Sequence, residues 1–256
     1  MGRGQRVTLT EDGSPVTSSQ ALDDILQHLR EELTLKNNPS VSDAGKCQRK
    51  VVMSLMNIEE SNPADFDSQL RFAVGHAFEE AIARILEAYQ GATYVREDRV
   101  EIVSEGVKIT GRKDFDAVRV ATDDAIIELK STNARSMGFL LKRGTPNDEH
   151  VRQLNLYLHS AGKQIGYLVY LAAGSTKGEP PLHSWIVRYD KAMAEADIAA
   201  AVAADRMAKA GVVPAIPQDY KKSGYPCSYC NFKDLCHGDP SIALKASIDL
   251  KNGAQA

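Results

Sequence analysis

Between Gly111 and Lys130 the chain reads Gly-Arg-Lys-Asp-Phe-Asp-Ala-Val-Arg-Val-Ala-Thr-Asp-Asp-Ala-Ile-Ile-Glu-Leu-Lys, two alternating apolar runs separated by an acidic turn at Thr122-Asp123-Asp124. Alternation with a period of two predicts a hairpin, its first strand running from Val107 to Val120 and its second from Ala125 to Lys130. Side chains two apart on a strand share a face, so Glu128 and Lys130 are expected side by side, with Asp114 available from the neighbouring strand. Two carboxylates converging on one point bind a hard divalent cation such as Mg or Mn, which can polarise a phosphodiester and acidify a bound water. The lysine can orient that water. From the hairpin alone, an ordinary solvent-facing hairpin is the stronger reading, because Glu-Leu-Lys is a common tripeptide.

The flanking segments supply further candidates. Leu70, Val74, Phe78, Ile82, Ile85 and Tyr89 hold one stripe at helical spacing, predicting a helix from Asp67 to Tyr89. His76, Glu80 and Glu87 then fall on its solvated face. Glu79 lies at the margin of the stripe, with Gly75 one turn earlier leaving space beside the carboxylate. Thr93 to Val103 reads as a strand before the hairpin, and 131–146 as a loop or short helix whose Arg135, Lys142 and Arg143 could follow a phosphate backbone. A helix from Asp148 to Ala161 buries Val151, Leu154, Leu158 and Ala161, and it carries Gln153 and Tyr157 together on its flank. Gly166 to Ala172 suits an interior strand, His183 to Tyr189 another strand, and Asp190 to Ala210 an alanine-rich helix.

Four cysteines are present, Cys47, Cys227, Cys230 and Cys236, three of them within ten residues. Without a secretory leader or a stretch of about 18 apolar residues, the chain is expected to be cytoplasmic. Clustered cysteines there are more often metal ligands than disulfides. Four thiolates suit zinc or an iron-sulfur cluster, and spacing leaves both open. The formal charge of -3 provides no global basic field, so a nucleic acid would be held by local patches. No P-loop spacing is present, which excludes an ATP motor of that type. The expected organisation is a flexible arm at 1–17, a helical region at 18–66 with the first cysteine on a helix starting near Asp43, a core at 67–210, a cysteine segment at 211–240 and a tail at 241–256.

The order helix, three strands, helix, strand resembles the PD-(D/E)xK nuclease core, an α/β fold with a central mixed sheet flanked by helices. Gly111-Arg-Lys-Asp114 is similar to the GxxD motif of its RecB-like branch, Glu128-Leu-Lys130 to its (D/E)xK motif and Gln153-Leu-Asn-Leu-Tyr157 to its QxxxY motif. The cysteine distribution resembles that of the iron-sulfur nucleases of the CRISPR-associated Cas-four and AddB type. The resemblance implies a Mg- or Mn-dependent DNA exonuclease acting at single-stranded ends, with 5'-3' polarity as one option, in CRISPR adaptation or in phage or host recombination and repair. It implies that Glu79, Asp114, Glu128 and the Leu129 carbonyl hold one or two metal ions. Lys130 would be catalytic with them, and Gln153 and Tyr157 would position DNA. Cys47, Cys227, Cys230 and Cys236 would bind a 4Fe-4S cluster in a subdomain joining an N-terminal helix to the C-terminal segment. The family's first motif ends in histidine where this chain has Glu79, so His76 stands as the alternative ligand. A catalytically silent DNA-binding adaptor that keeps the fold and the cluster, or binds zinc, is the competing reading.

Overall fold

The computed structural model describes residues 36–64, 66–88, 92–96, 98–120, 123–173 and 182–238. The expected arm, the first part of the expected helical region at 18–66 and the tail lie outside them. Among the described residues seven strands form two sheets: β1 (Ala92–Arg96), β2 (Arg99–Ser104), β3 (Val107–Arg112), β4 (Phe115–Val120), β5 (Asp123–Asn133), β6 (Ile165–Ala173) and β7 (Leu182–Arg188). Five pair in the order β1-β4-β5-β6-β7, while β2 and β3 form a separate hairpin. The larger sheet is mixed, because β5 and β6 run parallel and its other neighbours antiparallel. Strand β6 reads as a near-continuous apolar run, as an interior strand covered on both faces should.

The helices are α1 (Gln48–Leu55), α2 (Phe66–Ala88), α3 (Ala134–Arg143), α4 (Asp148–Ala161), α5 (Lys191–Lys209) and α6 (Lys233–His237). On one sheet face α4 packs Leu154, Leu156 and Leu158 into a core with Ile126, Leu168, Tyr170 and Ala194 of α5. Asn155 fastens those two helices: its side chain exchanges two 2.8 Å hydrogen bonds with the backbone of Asp190, just before α5. On the other face Ala83 of α2 packs with Phe115 and Val118, joined by Ile82, Ile127 and Leu129. Successive β5 residues thus divide between the faces as a period of two demands, with Ile126 on the α4 side and Ile127 on the α2 side.

Several expectations need correction. The predicted strand from Val107 to Val120 breaks at Lys113 and Asp114, where the chain leaves the small hairpin for the large sheet. Lys113 makes the corner: its buried ammonium pairs with Asp98 at 2.9 Å and with Asp116, and its backbone N–H donates to the Asp98 carbonyl. The charged Lys113 interrupts the apolar alternation at this corner, a local signal that a single-strand reading from Val107 to Val120 passes over. The expected strand from Thr93 to Val103 is likewise divided, into β1 and β2. Strand β5 runs on to Asn133, whose side chain then caps α3, so most of 131–146 is ordered helix. Ile85 is 62% exposed, because the buried side of α2 includes Ala83 and a residue two further on points about 200° away. The helix expected near Asp43 starts later: Ser40 to Asp43 close a capping box on a short 3-10 turn, and Cys47 occupies the N-cap of α1. Helix α4 spans the residues its apolar spacing predicts.

Candidate active site

The break before β4 positions Asp114. The last residue pair between β4 and β5 at this end is Phe115 with Ile127, and two residues beyond it the Asp114 carboxylate accepts the backbone N–H of Leu129 at 2.7 Å. Asp114 is therefore anchored to the strand that carries Glu128 and Lys130. Burial, together with the nearby Glu128 charge, pushes its carboxyl up to about 8.

Glu128 points to the α4 face and is 2% exposed. Its Oε1 accepts from Lys130 Nζ at 2.6 Å and from Gln153 Nε2 at 2.7 Å. Its Oε2 is buried with no hydrogen-bond partner among the described residues. Burial raises the pKa of this carboxyl although Lys130 opposes the rise. Burial works against the charge on Lys130, yet attraction from Glu128, Asp114 and Glu79 prevails and raises its pKa. Side by side, as the strand period requires, the two form one largely buried ion pair.

Helix α4 supplies the next layer. The Tyr157 hydroxyl donates to the Arg112 carbonyl at 2.9 Å and accepts from Gln153 at 3.3 Å, so Gln153 bridges Tyr157 and Glu128. Tyr157 is 2% exposed, and burial pushes its phenol well above the ordinary value. The structure brings the expected Gln153 and Tyr157 to the carboxylate but gives them buried, internal partners. Gly111 has a role here too: a Cβ on it would lie 2.9 Å from Val41 and 3.1 Å from the Tyr157 ring.

Glu79 on α2 lines a cavity of about 310 Å³ that Gly75, Leu129, Lys130 and Ser131 share. Its charge acts on Asp114, Glu128 and Lys130 across that space. His76, although 71% exposed, stands on the same cavity with Nδ1 3.5 Å from the Glu79 carboxylate, not on a face turned away. Ser131 abuts Gly75, the site where the sequence anticipates space.

His150 was missed by sequence reasoning. It lines this cavity and also an adjoining groove of about 740 Å³ that carries Lys142 and Arg143. The Tyr170 hydroxyl meets its Nδ1 at 2.6 Å, and burial pushes the ring down to about 3, so it is neutral at physiological pH. The available signal was spacing: His150, Gln153 and Tyr157 stand at i, i+3 and i+7 on one helix face. Of the expected basic residues, Arg143 hydrogen-bonds the carbonyls of Thr145 and Pro146, and Arg135 lies over Phe139 at 5.8 Å.

The four cysteines, distant in sequence, line one cavity of about 120 Å³. All four are free thiols, and burial raises Cys227, with the other three cysteines adding to the rise. The buried Arg49 donates from Nε to Cys236 Sγ at 2.9 Å. A second core cluster of Val51, Val52 and Met53 from α1, Ala204 and Ala208 from α5, and Phe232 holds the cysteine segment in place. Among the described residues no three His, Cys, Asp or Glu side chains form a ready-made metal cage at either location. No helix among the described residues is long and apolar enough to cross a membrane.

A mixed sheet flanked by helices, with a buried acid-lysine pair on a central strand and an aspartate clamped to that strand, defines an α/β protein of the PD-(D/E)XK type. The PD-(D/E)XK nuclease superfamily model matches residues 11–237, and the chain belongs to that superfamily. No curated protein matches it. Among solved structures it is similar to SSO0001 at 19% identity and a TM-score of 0.51, covering 87% of this chain and 96% of that one. It is also similar to an alkaline exonuclease, LHK-Exo, from Laribacter hongkongensis at 18% identity and a TM-score of 0.50, covering 69% of this chain and 90% of that one.

Proposed function

We propose that the protein is a metal-dependent DNA exonuclease whose centre is Asp114, Glu128 and Lys130. The observation that carries this reading is the Glu128 carboxylate: Oε1 is held by Lys130 and Gln153 while the buried Oε2 has no hydrogen-bond partner among the described residues. An unpartnered buried carboxylate oxygen is costly, and the raised carboxyl of Asp114 beside it adds to the cost of negative charge at this point. A hard cation satisfies both through oxygen, so the donor set fits Mg or Mn.

Asp114, Glu128 and the Leu129 carbonyl would hold the ion, with Glu79 reaching it across the cavity and His76 as the alternative. Bound there, the metal supplies Lewis-acid polarisation of the phosphodiester and a more acidic water. Lys130 orients the attacking water and offsets the charge that grows on phosphate. Gln153 keeps the Glu128 carboxylate in register, and Tyr157 holds Gln153. The adjoining groove with Lys142 and Arg143 gives a single-stranded end a basic path to the centre. Exonuclease action is what the name of LHK-Exo states for that protein, and the proposal brings it to this chain.

Cys47, Cys227, Cys230 and Cys236 would hold a 4Fe-4S cluster. The fit rests on four free thiols around one cavity and on Arg49, a buried cation whose bond to Cys236 opposes the rise that burial imposes on that thiol. The cluster would act as a brace between α1 and the C-terminal segment, and iron content and visible absorption of protein purified without oxygen test it independently of activity.

End-labelled single- and double-stranded DNA, labelled at 5' or 3', tests the enzymatic reading in Mg and in Mn. Stepwise loss of nucleotides in wild type, abolished in Lys130→Ala of unchanged fold, is expected. Equal cleavage by Lys130→Ala, or none by wild type in either metal, would favour the silent adaptor.

A further inference from the structure

We propose that His150 is a hydrogen-bond donor to a non-bridging oxygen of the phosphodiester lying beside Lys130. This rests on the nuclease reading and assigns a residue to it that no motif includes.

Three observations converge. His150 stands where the cavity of Glu79, Lys130 and Ser131 meets the basic groove of Lys142 and Arg143, so a strand passing from groove to centre must pass the imidazole. The ring is also oriented from behind. Strand register sets Tyr170 opposite Lys130 on the same sheet face, and the Tyr170 hydroxyl accepts the Asn147 backbone N–H at 3.2 Å while meeting His150 Nδ1 at 2.6 Å. With one lone pair of its oxygen engaged by Asn147, the phenol is placed to give its own hydrogen to Nδ1, and on this proposal the ring hydrogen sits on Nε2 accordingly. That nitrogen has no protein partner among the described residues.

The third observation is the helix face. His150, Gln153 and Tyr157 follow one another along α4, and the latter two are committed to Glu128 and to the Arg112 carbonyl. His150 completes the stripe at the open end. A neutral donor suits this place, because a second cation beside Lys130 would be repelled, whereas a fixed N–H dipole strengthens as charge develops on phosphate.

The test measures kcat and KM of the full chain on an end-labelled DNA strand in Mn for His150→Ala, His150→Gln and Tyr170→Phe. Loss of one preorganised donor should lower kcat about a hundredfold in His150→Ala and leave KM within about threefold. The carboxamide N–H of His150→Gln should recover about tenfold of that loss, and Tyr170→Phe, which releases the ring, should fall between wild type and His150→Ala. The kcat profile between about pH 6 and 9 should keep its shape in every variant, because the ring does not change charge there. A kcat for His150→Ala within about threefold of wild type overturns the proposal, as does a glutamine variant no better than alanine or an acidic limb that disappears with the histidine. Should His150→Ala melt below the assay temperature, His150→Gln decides alone: activity within about tenfold of wild type supports the donor, and loss equal to that of Lys130→Ala overturns it. An active Lys130→Ala overturns the nuclease reading itself, whereas an inert Lys130→Ala beside an unaffected His150→Ala overturns only the role of His150.

Discussion

Asp114 is bound to Leu129: its Oδ2 accepts the Leu129 backbone N–H at 2.7 Å, which places a carboxylate from the chain break next to the strand residue between Glu128 and Lys130. The contact separates two roles of Asp114. Asp114→Asn keeps an oxygen to accept the N–H and removes only the charge. It should fold with a melting temperature near or above wild type, while Mn-dependent cleavage falls by about a hundredfold or more. Melting curves and initial rates on the same preparation check this, and wild-type cleavage by the variant would remove Asp114 from the metal site.

The same carboxyl predicts a pH dependence. Its folded pKa of about 8 lies above the ordinary 3.8. Its contribution to the stability of the metal-free fold is thus full below the lower value and lost as pH rises through the higher one. A cation must displace that proton, so Mn affinity should rise about tenfold per pH unit up to about pH 8 and then level, with release of about one proton. Calorimetric titrations in buffers of different ionisation enthalpy measure both quantities. Affinity that is flat across this range would contradict the assignment.

Gly111 carries a steric prediction. The new methyl of Gly111→Ala would press on Val41 at 2.9 Å and on the Tyr157 ring at 3.1 Å, both in the main core. Overpacking of this kind should cost about 1–3 kcal/mol, seen as a lower urea midpoint at unchanged slope. Gly106, with no atom within 4 Å of a built Cβ, lies in the left-handed region at φ 78°, so Gly106→Asn is a milder comparison. Equal stability of Gly111→Ala and wild type would show that the β3–α4 contact is looser than described.

Cys227 tests the brace. Cys227→Ser should purify with less than half the wild-type iron, lose visible absorption and melt at lower temperature, because Cys227 is buried in the cavity that all four cysteines line. Full iron content in the variant, or one zinc and no colour in wild type, would sink the cluster assignment.

The chain sequence carried much of this. The pairing of Glu128 with Lys130 follows from the two-residue period of a strand, and α4 follows from its apolar spacing. The resemblance to the nuclease motifs names Gly111, Asp114, Gln153 and Tyr157 together from the sequence. Less was legible where local pattern and global path part company. The run from Val107 to Val120 reads as one strand although the charged Lys113 stands in one of its apolar positions, and Lys113, held by Asp98 and Asp116, turns the chain from one sheet to another. The buried side of α2 at Ala83 leaves Ile85 exposed although both fit an apolar helix.

Residue types and periods thus determined which side chains could do this chemistry. Which of them meet was decided only by tertiary structure. The Asp114–Leu129 contact exists because β4 begins only at Phe115, which leaves Asp114 just outside the ladder beside β5. His150 lines the same cavity as Lys130 because its ring is held by Tyr170, which stands opposite that lysine in parallel register. Both depend on where two distant segments pack, and local periodicity holds no information about that.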